Sequence, residues 1–205
     1  MFYTNEMEIG ILSDSHVQKP KKYTEKKKKD LRKSNSADLD PNSSKEMAEY
    51  KSLLKRLAFV FQDVDHIIHT GDVCCKDFIL DLENINSKTT PVSVVKGNMD
   101  EMWGINIWPR TLTLIFEGIK IGVAHRLEDF ALFDPKDIRV FVYGHTHIPS
   151  IKEDPNGVLL INPGSVSRPK APAKKKYAWQ KPEPKPTVAI LTIEDGLISS
   201  FIKRI

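Results

Sequence analysis

Five short segments of the sequence combine histidine, aspartate and asparagine in ways that could bind metal ions. They are Asp14-x-His16, Gly71-Asp72, Gly97-Asn98, His125 and Gly144-His145-Thr146-His147. Four of the six histidines of the chain belong to this set. Carboxylate, amide-oxygen and imidazole ligands together suit borderline divalent ions such as Mn²⁺, Fe²⁺, Zn²⁺ or Ni²⁺. Seven ligands are too many for one tetrahedral ion, so they predict two ions that share a bridging carboxylate.

Each segment taken alone also has an ordinary structural interpretation. Gly-Asp and Gly-Asn pairs are common in turns because these residues tolerate positive φ, and a lone histidine such as His125 is more often hydrogen-bonded in a core. The pair His145 and His147 is a stronger indication, because two imidazoles at i and i+2 in a loop can both turn toward one site. The metal interpretation depends on all five segments occurring together, each at the end of a predicted strand.

The elements that precede these segments alternate between strand and helix in the first half of the chain. Short apolar runs predict strands over 8–12, 66–70 and 92–95, and apolar residues at helical spacing predict helices over 45–61 and 76–85. A β-α-β-α-β pattern implies parallel strands with right-handed crossovers. Functional groups gather at the carboxyl ends of such strands, so we expect the five segments to converge.

The second half of the chain is richer in strands. Glu117-Gly118 and Glu194-Asp195-Gly196 are typical of hairpin turns. The predicted strands cover 111–116, 119–124, 139–143, 158–161, 187–193 and 197–202. A parallel α/β half followed by a β-rich half predicts two packed sheets with helices outside.

Charge is concentrated in two lysine-rich segments. Residues 19–33 carry a net charge of +7 and residues 168–186 carry +6, so the rest of the chain carries −9 within a total of +4. We expect basic surface insertions at about 18–44 and 168–186. The acidic remainder disfavours a nucleic-acid-binding surface spread over the fold. Nucleic-acid binding through the lysine segments alone stays an alternative.

The composition narrows the class of protein. The 205 residues suit one domain and are enough to bury a core without disulfides. No run of 18 apolar residues and no secretory signal is visible, so no membrane partner is expected. Cys74 and Cys75 are adjacent and are the only cysteines, which favours a reducing cytoplasmic location.

The order of the motifs, D-x-H, G-D, G-N-x-D, H, G-H-T-H and then N-P-G-S, resembles that of the calcineurin-like metallophosphoesterases. It is most similar to their small bacterial and archaeal phosphodiesterase branch. The resemblance extends from Glu8 to about Ile202, interrupted by the two lysine-rich segments. It implies an α/β fold, a four-layer α/β/β/α sandwich of two mixed sheets flanked by helices, in a single domain over 1–205.

The resemblance also implies a site and a reaction. One metal would be held by Asp14, His16, Asp72 and His147, and the other by Asp72, Asn98, His125 and His145. Asp72 would bridge them, Asp100 would orient a ligand imidazole, and the loop 162–165 would lie beside the site. The ions are expected to be Mn²⁺, with Fe²⁺, Zn²⁺, Ni²⁺ and Mg²⁺ as alternatives. A metal-bridging hydroxide would hydrolyse a P–O bond of a small phosphodiester, and a homodimer is the expected assembly.

Two residues depart from the pattern of that family. Met99 stands where many members have a histidine that protonates the leaving group, and the small-phosphodiesterase branch often lacks this histidine too. Arg126 stands where glycine is usual, and it could contact a substrate phosphate. A different class remains open, because a subunit of the retromer complex has this fold with an eroded site and acts as a scaffold. The presence of all seven ligands favours an enzyme.

Overall fold

The computed structural model describes residues 6–17, 41–86, 88–171 and 183–205. Most of the two expected basic insertions, 18–44 and 168–186, lies outside these ranges. The helix predicted over 45–61 is observed as α1, Pro41–Val60, which begins four residues earlier than expected. Proline is favoured at the first position of a helix, where its preset φ fits and no backbone N–H is needed. That residues 1–205 form one domain stays a prediction.

Ten strands and three α-helices are formed by the described residues. The strands are β1 (Glu6–Leu12), β2 (His66–His69), β3 (Val92–Val94), β4 (Thr111–Phe116), β5 (Ile119–Ala124), β6 (Val140–Val142), β7 (Ser150–Glu153), β8 (Leu159–Asn162), β9 (Thr187–Glu194) and β10 (Leu197–Arg204). The helices are α1 (Pro41–Val60), α2 (Lys76–Glu83) and α3 (Asn98–Met102), and a 3₁₀ helix spans Leu127–Leu132. Within the described part of the chain, no helix is both long and apolar enough to cross a membrane.

The strands form two five-stranded mixed sheets. The first has the order β10-β9-β1-β2-β3, with β1, β2 and β3 parallel and β9 antiparallel to β1. The second has the order β4-β5-β6-β8-β7, with β5, β6 and β8 parallel and the two edge strands antiparallel. Parallel strands therefore lie at the centre of both sheets, and their carboxyl ends supply the loops of the candidate site.

The core is arranged in layers. Ile9 and Ile68 of the first sheet pack with Val123 and Val142 of the second in one buried cluster between the sheets. A second cluster joins α1 and α2 to the outer face of the first sheet, and a third packs Phe130 of the 3₁₀ helix on the outer face of the second sheet. Burial of these apolar faces drives the packing. The prediction of two mixed sheets flanked by helices is confirmed.

Candidate metal centre

The candidate ligands lie in loops at the carboxyl ends of β1, β2, β3, β5 and β6. Two of these loops run side by side, because Asp14 donates its backbone N–H to the Gly71 carbonyl at 3.1 Å and His16 donates to the Asp72 carbonyl at 2.9 Å. The loop after β6 joins them, since the backbone N–H of His145 donates to Asp14 Oδ2 at 2.9 Å. Both sheets therefore contribute to one site, as the sequence predicted.

The backbone of these loops is unusual. Positive φ angles between 43° and 65° occur at Asp14, His16, Asp72, His145 and His147. Non-glycine residues rarely adopt this region, and it costs of order 1–3 kcal/mol per residue where the surroundings impose it. Each of these residues lies in a loop that directly follows one of the strands β1, β2 or β6. Such strain is frequent at functional sites.

The first group of candidate ligands is Asp14, His16 and His147, whose ligand atoms all lie within 4.8 Å of one another. Asp14 Oδ1 is 3.9 Å from His16 Nε2 and 3.2 Å from His147 Nε2. The two imidazole Nε2 atoms are 3.3 Å apart. Three lone-pair donors thus point at one small volume, which suits a cation.

The second group is Asp14, Asp72 and His125, with the same spacing of ligand atoms. Asp72 lies between the two groups, because its Oδ1 is 3.5 Å from His125 Nε2 and its Oδ2 is 3.9 Å from His16 Nε2. Asn98, the first residue of α3, places its Oδ1 3.2 Å from His125 Nε2. The two oxygens of Asp72 therefore face different imidazoles, as a bridging carboxylate requires.

His145 lies at the edge of this arrangement. It belongs to neither group of closely spaced ligand atoms among the described residues, and its half-buried ring lies 5.2 Å from the ring of His125, centroid to centroid. The structure therefore brings six of the seven predicted ligands into close contact and leaves the seventh imidazole beside them.

Backbone carbonyls fix the orientation of two imidazoles. His147 Nδ1 lies 2.6 Å from the Arg168 carbonyl and His125 Nδ1 lies 2.8 Å from the Thr70 carbonyl. A carbonyl only accepts hydrogen bonds, so each Nδ1 carries a proton and each ring presents its Nε2 to the site. Histidines that bind metals commonly donate their other N–H in this way. These carbonyl partners were not visible in the sequence, because they depend on how distant loops pack.

Asp100 has a different role from the one expected. We expected it to orient an imidazole, but its Oδ2 accepts the backbone N–H groups of Asp72 at 2.8 Å and Gly97 at 2.9 Å, and its Oδ1 accepts that of Cys74 at 2.8 Å. The buried carboxylate therefore holds the loop after β2 against the start of α3. The reason is geometric, since a side chain on the first turn of a short helix reaches the amides of the adjacent loop.

The loop 162–165 lies beside the site, as the resemblance implied, and hydrogen-bonds to the backbone of two of its loops. Asn162 Nδ2 donates to the Gly144 carbonyl at 2.8 Å, and its Oδ1 accepts the Gly164 N–H at 2.9 Å. The Ser165 hydroxyl donates to the Asp14 carbonyl at 2.8 Å. One loop of the second sheet thus fixes both the backbone before His145 and the backbone of Asp14.

The electrostatics of the site favour a bound cation. Burial alone would raise the pKa of Asp14, but His147 and the Ser13 hydroxyl outweigh it and hold that pKa below its usual value. Burial raises the pKa of Asp72 and lowers that of His16 to about 4. Asp14 Oδ1 is buried, and His147 Nε2 lies 3.2 Å from it, a contact whose geometry is too poor to satisfy it as a hydrogen bond. Asp14 in turn raises the pKa of His147 through this contact. Carboxylate oxygens beside imidazole nitrogens are a donor set that fits a divalent ion.

The histidines outside the set have structural partners. Fully buried His69 has Ser15 Oγ 2.9 Å from its Nε2 and accepts the Gly71 N–H at its Nδ1. His66 Nε2 lies 2.9 Å from Ser93 Oγ. These hydrogen bonds give both histidines a structural role outside the candidate ligand set.

A calcineurin-like phosphoesterase superfamily domain matches residues 7–196 of the chain. The chain belongs to this superfamily. A probable metallophosphoesterase of Methanothermobacter thermautotrophicus is 30% identical over 173 residues, covering 80% of each protein. A probable metallophosphoesterase of Methanocaldococcus jannaschii is 39% identical over 151 residues, covering 69% of this chain and 68% of the relative.

Solved structures share the superfamily's fold with this chain. A structure described as a novel archaeal phosphodiesterase has a TM-score of 0.58 at 21% identity and covers 96% of this chain and all of its own. Vps29 of Entamoeba histolytica in complex with Zn²⁺ has a TM-score of 0.56 at 22% identity, covering 97% of this chain and 99% of that one. At these identities the likeness concerns the fold.

Membership in the metallophosphoesterase superfamily implies divalent metal ions, and the two groups of candidate ligands fit that requirement. The two departures from the superfamily's pattern both lie at the site. Met99 donates its backbone N–H to Asp72 Oδ1 at 2.7 Å. Its main chain therefore helps to hold the Asp72 carboxylate in place. Arg126 is exposed and lines a cavity together with His125 and Asn98.

Proposed function

We propose that this protein is a metal-dependent phosphodiesterase with a dinuclear centre. The observation that carries the proposal is the position of Asp72, whose two carboxylate oxygens face the imidazoles of His16 and His125 on opposite sides. A carboxylate in this position can bind two cations at once. Two cations beside each other are a recurrent solution for phosphoryl chemistry because the transferred group carries negative charge.

The ligand assignment is the one that the resemblance implies, and Asp14 is the residue that both groups of closely spaced ligand atoms share. Asp14, His16, Asp72 and His147 would hold one ion, and the second would be held by Asp72, Asn98, His125 and His145. We propose Mn²⁺ as the metal, with Fe²⁺, Zn²⁺, Ni²⁺ and Mg²⁺ as alternatives. When bound, such ions supply a water of lowered pKa as the nucleophile and offset the charge of the phosphoryl oxygens.

The chain's own residues then hold and orient the reacting groups. The Met99 N–H fixes Asp72 Oδ1, and Asp100 fixes the backbone on which Asp72 stands. His145 is half-buried at the edge of the site, where a substrate phosphate can reach it. The thioether of Met99 has no proton to give, so it cannot protonate a leaving alkoxide. We therefore expect diesters with good leaving groups, such as aryl diesters, to be hydrolysed faster than alkyl diesters.

The decisive assay is the hydrolysis of bis-p-nitrophenyl phosphate by metal-free protein to which Mn²⁺ is added back. Turnover should require the metal and fall by about 10²-fold or more in Asp72→Asn and His145→Ala. Asp195→Asn is a matched control, because Asp195 lies in the β9–β10 hairpin at φ 49°, a conformation that asparagine tolerates equally. Turnover that persists without metal, or that survives Asp72→Asn, would show the proposal to be wrong. Metal analysis of the purified protein would identify the native ion.

The setting in which this activity would operate is also a proposal. Both cysteines are free thiols, which supports the expected reducing, cytoplasmic location. The substrate is proposed to be a small phosphodiester. Assembly as a homodimer stays an expectation, and sedimentation of the purified protein would test it.

A second candidate function is that of a scaffold with this fold and little catalysis. It is favoured by apolar side chains next to the site, since Met102 and Trp103 are 69% and 53% exposed. Exposed apolar groups close together are a common mark of protein interfaces. The scaffold hypothesis predicts no metal-dependent turnover of any phosphodiester, so hydrolysis of bis-p-nitrophenyl phosphate with added Mn²⁺ distinguishes the two functions.

A further inference from the structure

A cavity of about 410 Å³ opens directly beside the candidate metal centre. Its wall includes His125 and Asn98 of that centre and five charged side chains, namely the cations Lys96, Arg110 and Arg126 and the carboxylates Glu101 and Asp129. A volume of this size accepts a small organic group rather than only a water molecule. Any phosphoryl group held at His125 and Asn98 would therefore have one of its ester arms at the entrance of this cavity.

Two of the three cations are already neutralised by neighbouring carboxylates. Arg110 Nη2 lies 2.6 Å from Oδ1 of the buried Asp129, and Lys96 Nζ lies 3.4 Å from Glu101 Oε1. Arg126 differs, because no ion pair to a carboxylate is found for it in the described part of the chain. The cavity thus contains one guanidinium whose charge is not matched by the protein around it.

The position of Arg126 on the backbone is fixed by the 3₁₀ helix that follows it. Arg126 follows His125 directly and is the N-terminal cap of the 3₁₀ helix, with its carbonyl accepting the Asp129 N–H at 3.2 Å. The side chain therefore leaves the backbone one residue from the candidate ligand His125, and it lines the same cavity. Guanidinium groups bind phosphate and carboxylate groups through two parallel hydrogen bonds.

We propose that this cavity binds a second anionic group of the substrate, a phosphate or a carboxylate carried on one ester arm, through Arg126. This inference rests on the proposed phosphodiesterase function and narrows its substrate class to diesters that carry at least two negative charges. The paired cations of the wall leave Arg126 as the group that such an anion would meet. Because Lys96 and Arg110 are paired with Glu101 and Asp129, the cavity should not bind every small anion equally well.

Three matched substrates test the proposal with the Mn²⁺-loaded protein. They are propyl p-nitrophenyl phosphate, the same diester with a carboxylate at the end of the propyl arm, and the same diester with a phosphate there. All three release the same p-nitrophenolate, so differences in kcat/KM report on the arm alone. We expect the two substrates with an anionic arm to be preferred by about tenfold or more, as a charge-assisted contact would give. Comparison of the two distinguishes carboxylate from phosphate.

Variants of Arg126 locate the preference. Arg126→Ala should reduce the ratio of kcat/KM for the charged-arm substrates to kcat/KM for the uncharged one to near one. Arg126→Lys should retain part of this preference, because the positive charge remains while the two parallel N–H donors of the guanidinium are lost. Arg139→Ala is the matched control, since Arg139 is an exposed arginine next to the start of β6, at the other end of that strand from Gly144. It should leave the ratio and the turnover unchanged.

The outcomes separate this inference from the proposed function. Metal-dependent turnover without a preference for the charged arm, or a preference that survives Arg126→Ala, would overturn the cavity's role while the phosphodiesterase function stands. Absence of metal-dependent turnover would overturn the function. In that case calorimetric binding of propyl bisphosphate against propyl monophosphate still decides on the cavity, because an Arg126-dependent difference supports it and equal binding refutes it.

Discussion

Gly97 packs so closely against the candidate bridging residue Asp72 that an added Cβ would overlap it, and replacing Gly97 with alanine tests the site's geometry directly. Its φ is negative, at −97°, so alanine can adopt the backbone conformation without strain. The added Cβ would lie 2.1 Å from Asp72 Oδ1 and 2.3 Å from the Asp72 backbone nitrogen. The substitution therefore perturbs the site by contact alone.

The size of the effect follows from the overlap. Real Cβ atoms essentially never approach such atoms within 3.0 Å, so Gly97 and Asp72 must separate by about 1 Å. A misplacement of about 1 Å in a catalytic site can cost about 10²-fold in rate. The two N–H groups that Asp100 Oδ2 accepts, those of Asp72 and Gly97, would also be pulled apart. Losing one of these bonds should cost about 1–3 kcal/mol of unfolding free energy.

Three measurements on Gly97→Ala check this reasoning: bound Mn²⁺ per chain, kcat/KM for bis-p-nitrophenyl phosphate, and urea unfolding. We expect reduced metal content, a rate lower by about 10²-fold, and a folded protein of reduced stability. Gly122→Ala is the control, because its Cβ would meet Ile138 and Phe133 side chains at 3.0 Å in the second sheet, away from the ligands. It should lose stability but keep its metal. Wild-type metal content and a rate within about twofold for Gly97→Ala would refute the bridging position of Asp72.

Two further predictions concern stability. Mn²⁺ at about 100 times its dissociation constant should stabilise the folded protein by about 2.7 kcal/mol and raise its Tm by about 5–10 °C. Scanning calorimetry should show this shift in wild type and in the control Asp195→Asn, but not in Asp72→Asn. An equal shift in all three proteins would contradict the ligand assignment. Burial lowers the pKa of His69 from 6.5 to about 3, so below pH 6.5 the unfolded chain binds a proton that the folded chain does not, and stability falls as the pH falls. Between pH 7 and pH 5 this loss should be about 2 kcal/mol larger in metal-free wild type than in His69→Gln by urea unfolding; parallel pH profiles would contradict it.

The central strands and hairpins could be predicted from the sequence because local pattern and tertiary environment agree there. The hairpin of β4 (Thr111–Phe116) and β5 (Ile119–Ala124) has the predicted bounds, and its turn residues Glu117 and Gly118 both have positive φ, as the turn chemistry requires. The central strands are continuous apolar runs buried on both faces, which is the signature of parallel strands.

Elements at the margins of the fold escaped prediction for physical reasons. Strand β7, with the sequence SIKE, has one apolar residue and pairs only with β8 at the sheet edge, so it carries no hydrophobic pattern. Helix α3 has five residues and follows Gly97, so Gly-Asn indicated a turn instead. Short elements of this kind are stabilised by tertiary contacts rather than by local propensity.

The identity of the candidate ligands could be inferred from motif order, but their support could not. Asp100 accepts backbone N–H groups from Asp72 and Cys74, which are 28 and 26 residues away in sequence. Ser165 reaches the Asp14 carbonyl across 151 residues. Contacts at such separations depend on how the two sheets meet, and no local pattern encodes them.

Backbone strain connects these long-range contacts to the site. Five of the candidate ligands have positive φ, a conformation that aspartate and histidine adopt more often than most other non-glycine residues but less readily than glycine. Hydrogen bonds from outside each loop hold it there: Gly71 accepts from Asp14, Asp100 accepts from Asp72, and Asn162 holds the Gly144 carbonyl. A fold that only needed to close these loops could do so with glycine and no strain. Aspartate and histidine occupy these positions instead, and all of them except His145 place ligand atoms in the two closely spaced groups. The loops therefore bring potential ligand atoms together at some cost in backbone strain, which is typical of sites shaped for a ligand.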